Sequence, residues 1–173
     1  MIVCEGMDNT GKSTLAKLLA EDLGFPLQVS IPAYKDVVKS IAQVHDAVLK
    51  DIHGEQVIYD RFPLISEYIY GPIIRGESSF PVINPQLTHF LACRPIIIYT
   101  RVPIEIIEEW GDREQMDGVK EHAYQIFELY EEMMEALGEV TSVITYDYRL
   151  NDYDKLLSRI QLRLKGPQLR KVL

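Results

Sequence analysis

Cysteine is scarce in this chain. Cys4 and Cys93 are too few for a disulfide framework, and each lies in or beside an apolar segment. They read as buried thiols, which places the chain in a reducing cytoplasm. Long hydrophobic runs are missing too: no apolar stretch approaches the roughly 18 residues of a membrane span. The amino-terminal segment has no charged lead before a long apolar core, so no secretion signal is expected. Positive charge is limited, with 18 Lys and Arg against 26 Asp and Glu and a formal net charge of −8. That balance argues against a broad nucleic-acid footprint, which needs surplus cations to neutralise phosphates. The one basic run (Lys155, Arg159, Arg163, Lys165, Arg170 and Lys171) reads as a solvated helix face and tail. His45, His53, His89 and His122 show no metal-ligand spacing.

What remains is the composition of a globular protein. The 173 residues, 47% of them hydrophobic and 25% charged, suit one domain over 1–173. No repeat, low-complexity tract or linker divides it. Apolar strand candidates fall at 1–5, 27–31, 56–60, 95–100 and 140–146. Helical periodicity covers 12–23 (Leu15, Leu18, Leu19, Leu23), 35–52 (Val38, Ile41, Ala42, Val44, Val48) and 115–137, where Met116 and Val119 begin a long apolar face. Asn151 or Asp152 can cap a last helix that buries Leu156, Leu157, Ile160 and Leu164. Short apolar strands separated by helices predict an α/β fold: a five-stranded parallel sheet with helices on both faces. Ligands in such folds sit at the carboxyl ends of the strands.

The chemistry starts at that edge. Gly6-Met7-Asp8-Asn9-Thr10-Gly11-Lys12-Ser13 fills every fixed place of G-x-x-x-x-G-K-[ST], between an apolar strand and an amphipathic helix. Gly6 and Gly11 let successive backbone N–H groups turn inward toward an anion, and the helix start adds its dipole. Lys12 is expected to reach the β- and γ-phosphates of a nucleoside triphosphate, and Ser13 to hold Mg²⁺. The candidate phosphate-binding set is therefore Gly6 through Thr14. A second cluster, Val57-Ile58-Tyr59-Asp60-Arg61-Phe62, ends the third strand at the same edge. Asp60 there can orient Mg²⁺ or its water, and Arg61 can take a phosphate bidentately. A strand-end ion pair is the plainer reading of the same two residues.

Glu5 through Thr14, followed by Asp60-Arg61-Phe62, resembles the thymidylate kinase family of nucleoside monophosphate kinases. Pro95 to Glu105, Asp112-Arg113-Glu114 and the Tyr146-Asp147-Tyr148-Arg149 turn add further, looser similarity. The resemblance implies a three-layer α/β/α P-loop NTPase fold and transfer of the ATP γ-phosphate, with Mg²⁺, to a deoxynucleoside monophosphate such as dTMP. It places Asp8 at the acceptor's sugar hydroxyl, Arg61 at its phosphate, and Phe62, Tyr68 or Tyr70 at its base. Arg75 and Gln86 are candidates for hydrogen bonds to the base, and Arg149 sits where such kinases hold adenine. A mobile lid over about 103–118 would carry Arg113 into the transition state, unless Arg113 simply pairs with Glu114 or Asp117. Loss of such an arginine costs on the order of 10³–10⁵ in rate.

The chain departs from the family in having Asn9 rather than Arg inside the loop and few cations in the lid; Arg101 is a candidate replacement. The sequence accommodates a homodimer without requiring one. Three other readings stay open: a deoxynucleoside kinase acting on a 5′-hydroxyl, a kinase acting on a modified base within DNA, and a regulatory ATP-binding module. The nucleoside reading lacks the Glu-Pro opening after the second strand, where Ser30-Ile31-Pro32 stands.

Overall fold

The computed structural model describes residues 1–80, 85–109 and 118–165. Five strands are seen among them: β1 (Ile2–Glu5), β2 (Leu27–Val29), β3 (Ile58–Asp60), β4 (Ile96–Thr100) and β5 (Ser142–Tyr146). They form one parallel sheet in the order β2-β3-β1-β4-β5. The helices are α1 (Lys12–Leu23), α2 (Val37–Ile52), α3 (Pro63–Arg75), α4 (Pro85–Ala92), α5 (Ile104–Glu109), α6 (Ala123–Val140) and α7 (Tyr153–Lys165). The expected three-layer α/β/α architecture is present. No helix among the described residues is long and apolar enough to cross a membrane.

Strand periodicity sorts the core into two halves. Ile2, Cys4, Ile58, Ile96, Ile98 and Ile144 point to one face, where Leu15, Ala16 and Leu19 of α1 and Leu156 and Ile160 of α7 cover them. Their neighbours Val3, Tyr59, Ile97 and Tyr99 point to the other, against α2, α3, α4 and α6. This two-residue alternation fixes register, because a one-residue slip would exchange the faces. The chain builds β2 and β3 on one side of β1, then crosses over for β4 and β5. All strands therefore end at one edge with β1 at the point of reversal, where open α/β sheets form their ligand crevice.

Helix boundaries depart from periodicity where single residues intervene. Asp36 Oδ1 accepts from Lys39 N–H at 3.0 Å and starts α2 at Val37 rather than at 35. On α2 the core side is Ser40, Val44 and Ala47, while Val38 is 73% exposed. Asp152 rather than Asn151 caps α7, accepting from the amides of Asp154 and Lys155. The helix expected from 115 begins at Ala123, because 118–122 is a turn in which Gly118 takes a φ of 83°. Met116 lies outside the described residues.

Helix α3 was not foreseen from periodicity, and Gly71 and Pro72 in its middle explain why. It forms because Leu64, Ile65, Ile69 and Tyr70 bury an apolar face. Pro63 occupies its first turn, and Gly76 closes it at a φ of 78°. Helix α4 is short and anchored by Phe90, which stacks on Phe62 with ring centroids 4.4 Å apart. Phe90→Ala should cost about 3–5 kcal/mol, read as a lower denaturant midpoint with an unchanged slope. A loss below about 1 kcal/mol would mean that α4 is not part of the cooperative core.

Candidate active site

Loop 6–11 is shaped by close approach to β4. Gly6 has a φ of 147°, and a Cβ there would overlap the hydroxyl and carbonyl oxygens of Thr100. Thr10 Oγ1 donates to Met7 O at 2.8 Å and meets Thr100 Oγ1 at 2.7 Å; Thr100 Oγ1 lies 3.0 Å from the carbonyl of Glu5. These bonds clamp the loop to the ends of β1 and β4 and leave α1 starting at Lys12, as the motif predicts. Asn9 takes a φ of 65°, a left-handed conformation that its short side chain tolerates.

Lys12 is only 6% exposed. Its Nζ donates to Met7 O at 2.9 Å and sits 3.6 Å from Asp8 Oδ1. Burial, with the Arg61 charge nearby, lowers its pKa to about 8 despite the attraction of Asp8 and Asp60. Asp8 also accepts from the Arg61 guanidinium at 2.6 Å. Burial works against ionising Asp8, but the Arg61 and Lys12 charges outweigh it and hold the carboxyl below its usual range.

Arg61 follows β3 in the left-handed region, at a φ of 65°. Its N–H donates to Cys4 O at 2.9 Å, and its guanidinium donates to Tyr130 Oη at 2.9 Å and Tyr70 Oη at 3.2 Å as well as to Asp8. Although burial opposes the charge, the surrounding tyrosine and carboxylate oxygens keep Arg61 protonated far above its ordinary range. Behind it lies Glu5, wholly buried, which accepts from Phe62 N–H at 2.6 Å and from Tyr130 Oη at 3.1 Å. Burial raises the Glu5 pKa, with Arg61, the Phe62 amide, Lys12 and Tyr130 pulling the other way.

Two cavities flank the loop. One, of about 610 Å³, is lined by Asp8, Asp60, Arg61, Tyr70 and Arg75 among others, with the Tyr34-Lys35 turn across it. The other, of about 430 Å³, runs over Asn9 to Thr14 and reaches Leu18, Tyr146 and Tyr148. Lys12 and Ser13 line both. A group passing from one cavity to the other would pass those two side chains. Leu18, expected in the α1 core face, instead borders the second cavity. Ser13 and Asp60 supply the hard oxygen donors that Mg²⁺ prefers, and no cluster of three or more His, Cys, Asp or Glu suited to a metal occurs among the described residues.

Several expected site residues lie elsewhere. Phe62 is fully buried and packed between Tyr59 and Phe90, so its ring faces the core and not the cavity. Met7 is buried and offers only its backbone. Arg149 is held by Asp147 through Nε at 2.9 Å and through its NH2, and the neighbouring Tyr148 lines the second cavity in its place. Arg101 is engaged by both oxygens of Glu131 at 2.9 Å and lines neither cavity. Gln86 sits on α4 beside His45 and lies outside both linings. Cys93, expected buried, is partly exposed, with its thiol donating to His89 O. Arg113 and the rest of 110–117 in the lid lie outside the described residues. Conversely, Tyr34, Lys35, Glu67 and Tyr130 were not singled out as site residues. Only a helix assigned to 63–75 would have shown Glu67 and Arg75 on one face.

The lowered pKa of Lys12 gives a signed expectation. Above about pH 8 the unliganded protein loses this proton. A bound polyphosphate restores it, so binding must then take up a proton and affinity must fall as pH rises. Calorimetry of tripolyphosphate binding at pH 9, in buffers of different ionisation enthalpy, should show net uptake that disappears in Lys12→Arg. Uptake of equal size in that variant would assign the proton elsewhere.

No protein-family model matches this chain, and no curated protein does. Among solved structures it is similar to the YorR protein of Bacillus subtilis, in complex with phosphorylated GDP, at 22% identity and a TM-score of 0.72 over 94% of each chain. It is also similar to deoxyadenosine kinase from M. mycoides with the products dCMP and a flexible dCDP bound, at 19% identity and a TM-score of 0.58, covering 94% of this chain and 97% of that one. Shikimate kinase from Acinetobacter baumannii, in complex with shikimate, follows at 15% identity and a TM-score of 0.55, covering 98% and 94% respectively. At these identities the likeness is one of fold: this chain has the three-layer P-loop fold that these proteins share.

Proposed function

We propose that this protein is an ATP-dependent phosphotransferase that moves the γ-phosphoryl group onto the phosphate of a deoxynucleoside monophosphate, with dTMP as the acceptor type. The observation that carries the reading is the pair of cavities meeting at Lys12 and Ser13. A donor triphosphate would lie along Asn9 to Thr14 with its base toward Leu18 and Tyr148. An acceptor would lie in the larger cavity with its phosphate toward Arg61. Mg²⁺, held by Ser13 with help from Asp60, would neutralise charge on the phosphates. Lys12 would orient the transferring group, and Arg113 would approach from the lid. The structural neighbours with bound nucleotides agree with this class of ligand.

The electrostatics favour an anionic acceptor over a hydroxyl. A nucleoside 5′-hydroxyl must lose a proton to a base. Asp8, held ionised by Arg61 and Lys12, is a weak base, whereas Lys12, Lys35 and Arg61 together suit a phosphate. Asp60 lines the same cavity and is the group that would serve a nucleoside kinase, which keeps that reading as the alternative. An ATP-binding regulatory module would leave the larger cavity without a purpose.

Incubation with ATP and each deoxynucleoside or its 5′-monophosphate separates these readings. Formation of a diphosphate supports the proposal, a monophosphate product would select the nucleoside reading, and acceptor-independent ATP hydrolysis would leave the regulatory one. Lys12→Ala should lower kcat by at least about 10²-fold while the fold persists. Arg61→Lys keeps the charge but loses the guanidinium fork. It should raise the acceptor KM roughly 10-fold or more with little change in the ATP KM. A change confined to ATP would move Arg61 to the donor side.

A further inference from the structure

Arg101 and Glu131 line neither cavity, yet they hold the helix from which Tyr130 reaches Arg61. Glu131 stands on α6 where the carboxyl end of β4 passes it. Arg101 Nε donates to both of its carboxylate oxygens at 2.9 Å, and the Tyr99 hydroxyl donates to its Oε1 at 2.8 Å. The Arg101 guanidinium also lies over the Phe127 ring, one helical turn earlier, with its central carbon 5.6 Å from the ring centre. From the other side the backbone of Arg101 is fixed to β5, its N–H donating to Tyr146 O at 2.9 Å. One carboxylate on α6 is thus tied to two residues at the end of β4.

Tyr99 carries that tie inward. Its side chain is buried and its ring lies flat on that of Tyr130, with centroids 5.8 Å apart and planes at 13°. The Tyr130 hydroxyl accepts from Arg61 NH1 and donates to Glu5 Oε2, so it is engaged on both sides. Tyr130 and Glu131 are neighbours in the chain, and any shift of α6 moves both. The buried side of α6 (Ile126, Tyr130, Met134 and Leu137) is held by contact with the core. Apolar burial has no direction, whereas a hydrogen bond is lost within about 0.5 Å of its normal range. The hydrogen bonds that join α6 to β1 and β4 run through Tyr130 and Glu131.

We propose that Arg101 and Glu131 are positioning residues for acceptor binding. They hold Tyr99 against Tyr130, which sets the Tyr130 hydroxyl against Arg61 and so aims the guanidinium at the acceptor phosphate. The inference rests on the monophosphate kinase reading above. The two side chains are 43% and 36% exposed, and a pair this open contributes little to overall stability. Its effect is local, because a guanidinium tilted away from a phosphate loses one prong of its fork.

Kinetics of single and double variants test the path. Glu131→Ala, Arg101→Met and Tyr99→Phe should each raise the acceptor KM roughly 3–10-fold, with the ATP KM and Tm little changed. Tyr130→Phe removes the oxygen that Arg61 uses and should raise the acceptor KM roughly 10-fold or more. Because the path ends at that oxygen, adding Glu131→Ala to Tyr130→Phe should cost nothing further, whereas independent effects would multiply. An acceptor KM unmoved by Glu131→Ala overturns the proposal, as do multiplying effects in the double variant or an equal rise in both KM values. Absence of turnover with every monophosphate would instead remove the kinase reading. Nitrogen NMR of the Arg61 side chain in the ligand-free protein would then decide the positioning on its own. Its N–H protons should exchange at least about 3-fold faster in Glu131→Ala than in wild type, and equal rates would overturn the proposal.

Discussion

One guanidinium ties the functional edge of this protein together. Arg61 leaves the end of β3 and reaches Asp8 on the phosphate loop, Tyr70 on α3 and Tyr130 on α6. Tyr130 then passes the connection to Glu5 at the end of β1. The backbone of Arg61 stands in a conformation that costs a non-glycine residue of order 1 kcal/mol or more. The side chain is held there by Asp8, Tyr70 and Tyr130. The strain thus sits at the residue that joins the phosphate loop to α3 and α6. Glu5 stabilises the turn from behind by accepting the Phe62 amide, which would otherwise be a buried donor without a partner.

The sheet makes this meeting possible. Parallel register sets Cys4 beside Asp60 and Glu5 beside Tyr99, so the ends of β1, β3 and β4 emerge together. The loop after β1 then has little room, and the pressure falls on Gly6 against Thr100. Cavities open on either side of this narrow loop because the chain turns away from β1 in both directions. Lys12 borders both by geometry: it begins the helix that the loop must enter.

Much of the architecture was legible in the sequence because it rests on short-range rules. The short apolar strands, the phosphate-loop spacing and the cap of α7 at 151–152 each depend on residues within a few positions of one another. Phe62 was misread because a tight left-handed turn at Arg61 redirects the chain, and φ at a single arginine leaves no mark on periodicity. Helix α3 was hidden by Gly71 and Pro72, which lower helix propensity locally while the buried face of Leu64, Ile65 and Ile69 overrides it. The side chains missed in the site are those brought in from a distance. Tyr130 lies 125 residues from Glu5 along the chain, and its role depends on how α6 packs over the sheet.

The same pairing rules give the two ends of the larger cavity different character. At the inner end of the larger cavity, Asp8 stands between the cations Lys12 and Arg61, and these charges are placed by the strand ends and the loop. At the outer end, Glu67 and Arg75 cancel one another, so no net charge is offered, only the direction of donors and acceptors. Charge attracts any phosphate at long range, whereas hydrogen-bond direction discriminates only at contact. The inner end is built on the sheet, where a change would disturb register and core together. The outer end hangs on one helix face, and its geometry depends on the missing side chain of Gly71. The hydrogen bonds that hold Lys12 and Arg61 do not extend to Glu67 or Arg75 among the described residues, so the two ends can change independently.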